Sequence, residues 1–258
     1  MTAVLIPARR ASTRLPEKLL LAETGRPLIA HACERAAEAF GPQSVTVCAD
    51  DPLLVAAARA AGVAAQMTRI DHQSGTDRIA EIARLRSDAI VVNVQGDEPE
   101  MDPEHIRMVA ALLERHPWAG IATLCVAGGV AEQLNPNNVK VVLGAGDRAL
   151  WFTRCPAVYD RDAGGAAATC HRHLGIYAYR REVLLAFAGL PPSRLESTEK
   201  LEQLRALEAG IGIACAVVDQ ATPGVDVRAD YDAFVTRWRS QHSFSMEKLA
   251  EKPGRKLP

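Results

Sequence analysis

Residues 9–18 of the stretch Ile6-Pro7-Ala8-Arg9-Arg10-Ala11-Ser12-Thr13-Arg14-Leu15-Pro16-Glu17-Lys18 hold three Arg and one Lys against one Glu, a local charge of 4 − 1 = +3. Guanidinium forks bind phosphate oxygens in pairs and a lysine adds a mobile point charge, so this loop suits a polyphosphate. It lies between a strand-like run and a helical pattern, where open α/β sheets bind ligands. Neither GxGxxG nor GxxxxGK[ST] occurs in it, so the dinucleotide and P-loop fingerprints are absent. Charge alone also fits a solvated basic loop. Two carboxylates could supply the complementary chemistry. Asp97 ends an apolar run in Gln95-Gly96-Asp97-Glu98-Pro99, and Asp226 sits in Pro223-Gly224-Val225-Asp226. Magnesium takes hard oxygen ligands, usually one or two carboxylates with phosphates and water. Asp97 is placed for that role; Asp226 is too, and equally suits the cap of a final helix.

The elements that must position these residues alternate. An apolar run at 3–6 precedes a helical pattern at 28–39, a strand-like run at 45–48 and a helix at 52–61 opened by Asp51-Pro52 and closed by Gly62. A short strand near 63–67 leads to a helix from about 76, with Ser74-x-x-Asp77 as its capping box. The strand Ile90-Val91-Val92-Asn93-Val94 and a helix from Asp102-Pro103 to about His116 complete the first half. Strands alternating with amphipathic helices indicate βαβ units and a mostly parallel sheet. From about 120 the rhythm changes: strand-like runs at 120–126, 139–143 and 174–179 are joined by loops at 127–138 and 155–172. The spacing predicts a smaller mixed α/β subdomain, roughly 120–190, inserted into one α/β domain spanning 1–240. A helix at 198–209 capped by Ser197, a strand at 211–218 and a helix at about 228–240 return to the first rhythm. Residues 241–258 read as a disordered tail.

Composition narrows the function classes. The chain has 258 residues, with 30 Lys plus Arg against 31 Asp plus Glu, a formal charge of −1. That balance excludes a generally basic nucleic-acid binder. No apolar run reaches the roughly 18–20 residues of a membrane helix, and the N-terminus lacks the pattern of a signal peptide, so a cytoplasmic protein without membrane attachment is expected. Six scattered cysteines without a CxxC pair argue against a disulfide framework. Cys170 with His171 and His173 offers soft ligands, but the second pair of a zinc site is missing.

The motif Pro-Ala-Arg-x-x-Ser-x-Arg-Leu-Pro-x-Lys resembles the N-terminal signature of cytidylyltransferases that activate acidic sugars, and most closely the 3-deoxy-manno-octulosonate (Kdo) cytidylyltransferase, or CMP-Kdo synthetase, family. Four later segments continue the resemblance in order: His72-Gln73-Ser74-Gly75-Thr76-Asp77-Arg78, Val92-Asn93-Val94-Gln95-Gly96-Asp97-Glu98-Pro99, Asn135-Pro136-Asn137-x-Val139-Lys140 and Arg172-His173-Leu174-Gly175-Ile176-Tyr177. A fifth, Leu201-Glu202-Gln203-Leu204-Arg205, follows, and together they cover about residues 4–240. The resemblance implies a Rossmann-like nucleotidyltransferase fold, a homodimer formed through the smaller subdomain, and a place in lipopolysaccharide biosynthesis. Its reaction joins CTP and Kdo to give CMP-Kdo and diphosphate, with Mg²⁺ as cofactor.

Residue by residue, the resemblance makes Asp97 and Asp226 the metal ligands and, with Lys18, the catalytic set. Arg9, Ser12, Arg14 and Lys18 would hold the triphosphate, with Ala8 and Arg9 backbone near the base. Gln73, Ser74, Gly75 and Arg78 would surround the cytosine, although Ser74 also serves as a helix cap. For the sugar, alternation places His173 and Tyr177 on one strand face, lining a cavity or packing on a neighbouring subunit. Leu201, Leu204 and Leu207 form a buried stripe that turns Glu202 and Gln203 away from it. The resemblance makes these two, with Gln95, sugar contacts, and Arg154 the partner of the sugar carboxylate. Two segments depart from the family: 154–161 lacks its Ile-Pro-Trp character, and Thr198 stands where a His is common. Both lie on the sugar side, which leaves the 8-amino analogue of Kdo or a sialate-like sugar as alternatives. A catalytically silent nucleotide-binding module is the rival from another class.

Overall fold

The computed structural model describes residues 1–162, 164–166 and 170–250. In chain order the strands and helices are β1 (Thr2–Ala8), α1 (Leu28–Phe40), β2 (Val45–Ala49), α2 (Pro52–Ala60), β3 (Ala64–Met67), α3 (Gly75–Ala83), β4 (Ile90–Asn93), α4 (Pro103–Arg115), β5 (Ile121–Gly128), α5 (Val130–Leu134), β6 (Lys140–Leu143) and β7 (Ala149–Thr153). Then come β8 (Tyr159–Asp160), β9 (Gly165–Ala166), β10 (Cys170–Arg180), α6 (Arg181–Ala188), α7 (Arg194–Glu199), α8 (Gln203–Glu208), β11 (Ile213–Val218) and α9 (Arg228–Ala250).

The main sheet has the order β11-β5-β10-β4-β1-β2-β3, with β6 pairing β10 and β7 pairing β6, while β8 and β9 pair separately. Pairing is parallel between β1 and β2, β1 and β4, β2 and β3, and β5 and β11. β10 runs antiparallel to both of its neighbours, β4 and β5. The chain leaves β1 toward β2 and β3 and then returns to β4 on the other side of β1. That reversal is a topological switch point, where strand-end loops diverge and leave a crevice.

Two apolar cores cover the sheet. Side chains of β1, β4 and β10 such as Val4, Val92 and Ile176 pack with α1, α2, α4 and α9; Leu5, Val91 and Tyr179 pack with α3, α6 and α8. β10 keeps its alternation despite an irregularity between Leu174 and Tyr177, which pair with the adjacent residues Leu124 and Thr123 of β5. Gly175 and Ile176 are thus two extra residues, an even number, so His173 and Tyr177 remain on one face.

Region 120–190 contributes β5 and β10 to the central sheet itself. The expected loops at 127–138 and 155–172 contain the short α5 and the β8–β9 pair, and β7 and α6 had no clear signal. The single helix expected at 198–209 is two short ones. Ser193, not Ser197, caps α7 by accepting from Glu196 N while the Glu196 side chain accepts from Ser193 N, and Lys200 ends it at φ 56°. Tertiary contacts pin that break, because Glu199 accepts from Thr153, the Arg154 backbone N–H and the Arg154 side chain. α9 is described as far as Ala250, within the stretch read as a tail. Residues 251–258 lie outside the described residues.

His31 joins α1 to α9, with its ring against Phe234 and Trp238. Its Nδ1 accepts from Arg26 at 3.2 Å, so Nε2–H faces Thr24 Oγ1 at 2.8 Å, and that hydroxyl donates to Arg26 O. Burial, aided by the Arg26 charge, pushes the imidazole from 6.5 down to about 4. The unfolded chain therefore binds a proton that the folded one refuses, and stability is lost as pH falls from about 6.5 to about 4. His31→Gln is expected to flatten this acid limb by about 1 kcal/mol, read from urea unfolding between pH 7 and 4.

Candidate active site

The loop after β4 and the start of α3 meet at Pro7, near the end of β1. A Cβ at Gly75 would lie 3.1 Å from Pro7 Cγ, and one at Gly96 would lie 3.3 Å from Pro7 O. Without side chains at these positions, the start of α3 and the loop after β4 can close on the end of β1. The result is a cleft of about 290 Å³ lined by Ala8, Arg9, Ser12, Arg14, Lys18, Gln73, Ser74, Gly75, Arg78, Gln95 and Asp97. All nine residues expected to surround the nucleotide thus share one cavity, although they come from segments far apart in the chain. His72, Thr13 and Leu19 line it as well.

Lys18 and Arg14 in the cleft and Arg10 beside it are paired with carboxylates. Lys18 Nζ donates to Asp97 Oδ2 at 2.6 Å and to Val225 O at 2.7 Å, and lies 3.6 Å from Asp226 Oδ1. Arg14 donates to Asp226 Oδ1 at 2.8 Å. Arg10 bonds Glu17 and Asp51, and its backbone N–H donates to Asp50. Arg10, Arg14 and Lys18 are therefore answered by carboxylates that follow β2, β4 and β11. Glu17 sits at φ 52° immediately before Lys18 and is held there through Arg10.

The geometry decides between the two uses of Asp226. Its carboxylate faces Arg14 and Lys18, whereas Asp230 accepts the backbone N–H groups of Asp226 and Val227 at the start of α9. Ser74, by contrast, takes both roles: its hydroxyl accepts from Asp77 N while the residue lines the cleft. Two carboxylates and the Val225 carbonyl converge on one cation, a donor set that fits a hard divalent ion. Glu98, which the sequence did not single out, sits behind them. Burial, with Asp97 and Asp226 adding to it, pushes its carboxyl up to about 8. Among the described residues no group of three or more His, Cys, Asp or Glu is placed to hold a metal, and Cys170 and His173 turn to other partners.

Arg78 lines the cleft with a buried side chain already in use. Its guanidinium donates to Thr68 Oγ1 at 2.6 Å, to Arg69 O at 3.1 Å and to Asp50 Oδ2 at 3.2 Å. It braces the end of β2 against α3, a task that the motif alone did not reveal.

Of the residues expected at the sugar, only Gln95 lines this cleft. Glu202 adjoins it: its carboxylate accepts from Thr76 Oγ1 at 2.5 Å and Arg205 at 2.9 Å, and burial raises its pKa. Gln203 is buried, 6% exposed, and does not share a solvated face with Glu202. The expected stripe holds, since Leu201 and Leu204 are buried and Leu207 packs against the same core, but Gln203 is buried beside it rather than turned to solvent. His173 Nε2–H faces Thr123 Oγ1 at 2.9 Å, and its ring packs between Phe152 and Tyr177. Burial pushes this imidazole down to about 3, so it is neutral at neutral pH, and raises the Tyr177 hydroxyl well above its ordinary value. Arg154 donates through Nε to Glu199 O and through Nη1 to Pro136 O. These contacts leave it beside the α7–α8 connection that carries Glu202.

Comparison with known proteins matches this arrangement. The sequence pattern of the cytidylyltransferase family covers residues 3–213. A 3-deoxy-manno-octulosonate cytidylyltransferase of Rhodopirellula baltica is 47% identical over 246 residues, 92% of this chain and 98% of the relative. One from Escherichia coli is 44% identical over 226 residues, 88% and 91% of the two chains. The solved structure of a CMP:2-keto-3-deoxy-manno-octonic acid synthetase complexed with CTP superposes with a TM-score of 0.88 at 41% identity, covering 93% of this chain and 99% of the other. With both sequence and fold matched over nine-tenths of its length, the chain belongs to the 3-deoxy-manno-octulosonate cytidylyltransferase family.

Proposed function

We propose that this enzyme transfers the cytidylyl group of CTP to Kdo, forming CMP-Kdo and diphosphate. A sugar hydroxyl attacks the α-phosphorus of CTP, the bond to the leaving diphosphate breaks, and the hydroxyl proton is lost to solvent or a nearby base. The observation that carries this reading is the convergence of the cationic loop and Asp97 on one cleft at the switch point, with Asp226 joined to the same loop through Arg14 and Lys18. Arg9, Ser12 and Arg14 would bind the triphosphate, and Gln73, Ser74 and Gly75 at the start of α3 would meet the cytosine. Asp97 and Asp226 would hold Mg²⁺, which when bound neutralises charge developing on the phosphates. Gln95, Glu202, His173, Tyr177, Gln203 and Arg154 form the proposed sugar side. Most of them are fixed by internal bonds, which suits a rigid wall.

Diphosphate release with CTP against Kdo, 8-amino-Kdo and a sialic acid tests the assignment. Turnover with Kdo at least about tenfold faster than with the other two is expected, since one mispaired polar group costs roughly 1–3 kcal/mol. Turnover with sialic acid and none with Kdo would refute it. No helix among the described residues is long and apolar enough to cross a membrane, and we assign the enzyme to the cytoplasm and to lipopolysaccharide synthesis. Leu150, Trp151, Val158 and Tyr159 expose apolar surface on β7 and near β8. We propose that a second copy covers this face in a homodimer, which light scattering would detect as twice the chain mass.

A further inference from the structure

Lys18 does something that phosphate binding alone does not require. An ammonium has three N–H donors, and three acceptors surround this one: Asp97 Oδ2 at 2.6 Å, Val225 O at 2.7 Å and Asp226 Oδ1 at 3.6 Å. Its side chain is 9% exposed, against 33% for Asp97 and 55% for Asp226, so the cation is the innermost member of the group. Arg14 closes Asp226 from the outside. The point where two carboxylates converge is thus already held by a positive charge, and that charge belongs to the chain. Lys18 begins a 3-10 turn, Lys18–Leu20, so its backbone is fixed. Its side chain has four flexible carbons, enough to move Nζ by several ångströms without moving that turn.

An incoming divalent ion meets carboxylates already paired with a cation, and a triphosphate meets a lysine with two donors engaged and its charge shared with Asp226. We propose that Lys18 is an internal competitor for the divalent cation, holding the position between Asp97 and Asp226 until the ion displaces it toward the triphosphate. This inference rests on the assignment of those two aspartates as metal ligands. It adds that metal entry and the availability of Lys18 to phosphate are one event. Removing the lysine leaves two adjacent carboxylates without their shared counter-charge, which strengthens their pull on a divalent ion.

Mn²⁺ binding read by electron paramagnetic resonance, with no CTP present, tests the competition directly. Lys18→Met is expected to bind Mn²⁺ about tenfold more tightly than the unaltered protein, a difference near 1.4 kcal/mol. Equal or weaker binding by a folded Lys18→Met protein overturns the proposal. A second measurement uses the unaltered protein: reductive methylation of lysines, read by peptide mass spectrometry, with and without Mg²⁺. Labelling of Lys18 should rise several-fold when Mg²⁺ alone is added, while Lys140, which is fully buried, stays unlabelled as a reference. Unchanged labelling of Lys18 in protein shown to have bound the metal also overturns it. The metal assignment has its own arm: Asp97→Asn should weaken Mn²⁺ binding in the presence of CTP. If that holds and Lys18→Met gains no affinity, only the competitor role falls.

Discussion

Asp97→Asn should lower the rate of diphosphate release by about three orders of magnitude, the effect of losing roughly 4 kcal/mol of transition-state stabilisation. CTP affinity should stay within a few-fold, because Arg9, Ser12, Gln73 and Gly75 line the cleft independently of this carboxylate. The reasoning begins with position. Asp97 follows β4 across Gln95 and Gly96, and the missing side chain at Gly96 lets its loop approach Pro7 O. A carboxylate held there reaches the point where Lys18 and Asp226 also meet. Asparagine preserves the shape and removes the charge, so the loss falls on turnover rather than on folding. Diphosphate release and CTP titration, measured on the same preparation, check the split. Near-normal turnover in Asp97→Asn would remove this residue from the catalytic set.

The largest expected effect on stability lies away from the cleft. Lys140 is fully buried, and its Nζ donates to Asn135 O at 2.9 Å, to Asn138 O at 2.8 Å and to Arg154 O. Burial lowers its pKa, yet three carbonyl dipoles surround the ammonium. This explains the Asn-Pro-Asn-x-Val-Lys segment in physical terms: one lysine ties the turn after α5 to the end of β7. Lys140→Met keeps most of the volume but leaves three carbonyls without their donor. At roughly 1–3 kcal/mol for each buried group left unsatisfied, partly relieved by relaxation, the cost is about 3 kcal/mol. A chain of this size should then melt roughly 6–12 °C lower. Because Arg154 shares this connection, turnover at low Kdo concentration should also fall, whereas CTP affinity should not. Calorimetry and the two KM values test it; an unchanged melting temperature would show that the clip adds nothing to stability.

How much was legible in the sequence follows from the range of the forces. Capping by Asp51, Ser74 and Asp102 acts within a few residues, and each helix begins where its cap stands. The nucleotide-side residues were legible because motifs at strand ends are carried to one edge of a parallel sheet. The sugar side was harder. Gln203 was expected on a polar face, and the structure buries it; the one helix expected there breaks at Lys200, where Glu199 is captured by Thr153 and Arg154. That capture spans 45 and 46 residues of chain and leaves no local trace. Glu98 escaped notice for a similar reason: a carboxyl in a motif looks like its neighbour until two other carboxylates and a low-dielectric setting are placed around it.

By itself the sequence determined the alternation of strands and helices, the family, and the loop that carries the cations. Periodicity, caps and motif order are local properties that survive without coordinates. Only the tertiary structure decided what those cations face. The +3 of residues 9–18 suggested an open positive loop, but Asp50, Asp51, Asp97 and Asp226 come from other strand ends and meet it. Charge balance depends on distance in space, and this fold brings residues 79 and more than 200 positions apart within hydrogen-bond reach of one lysine.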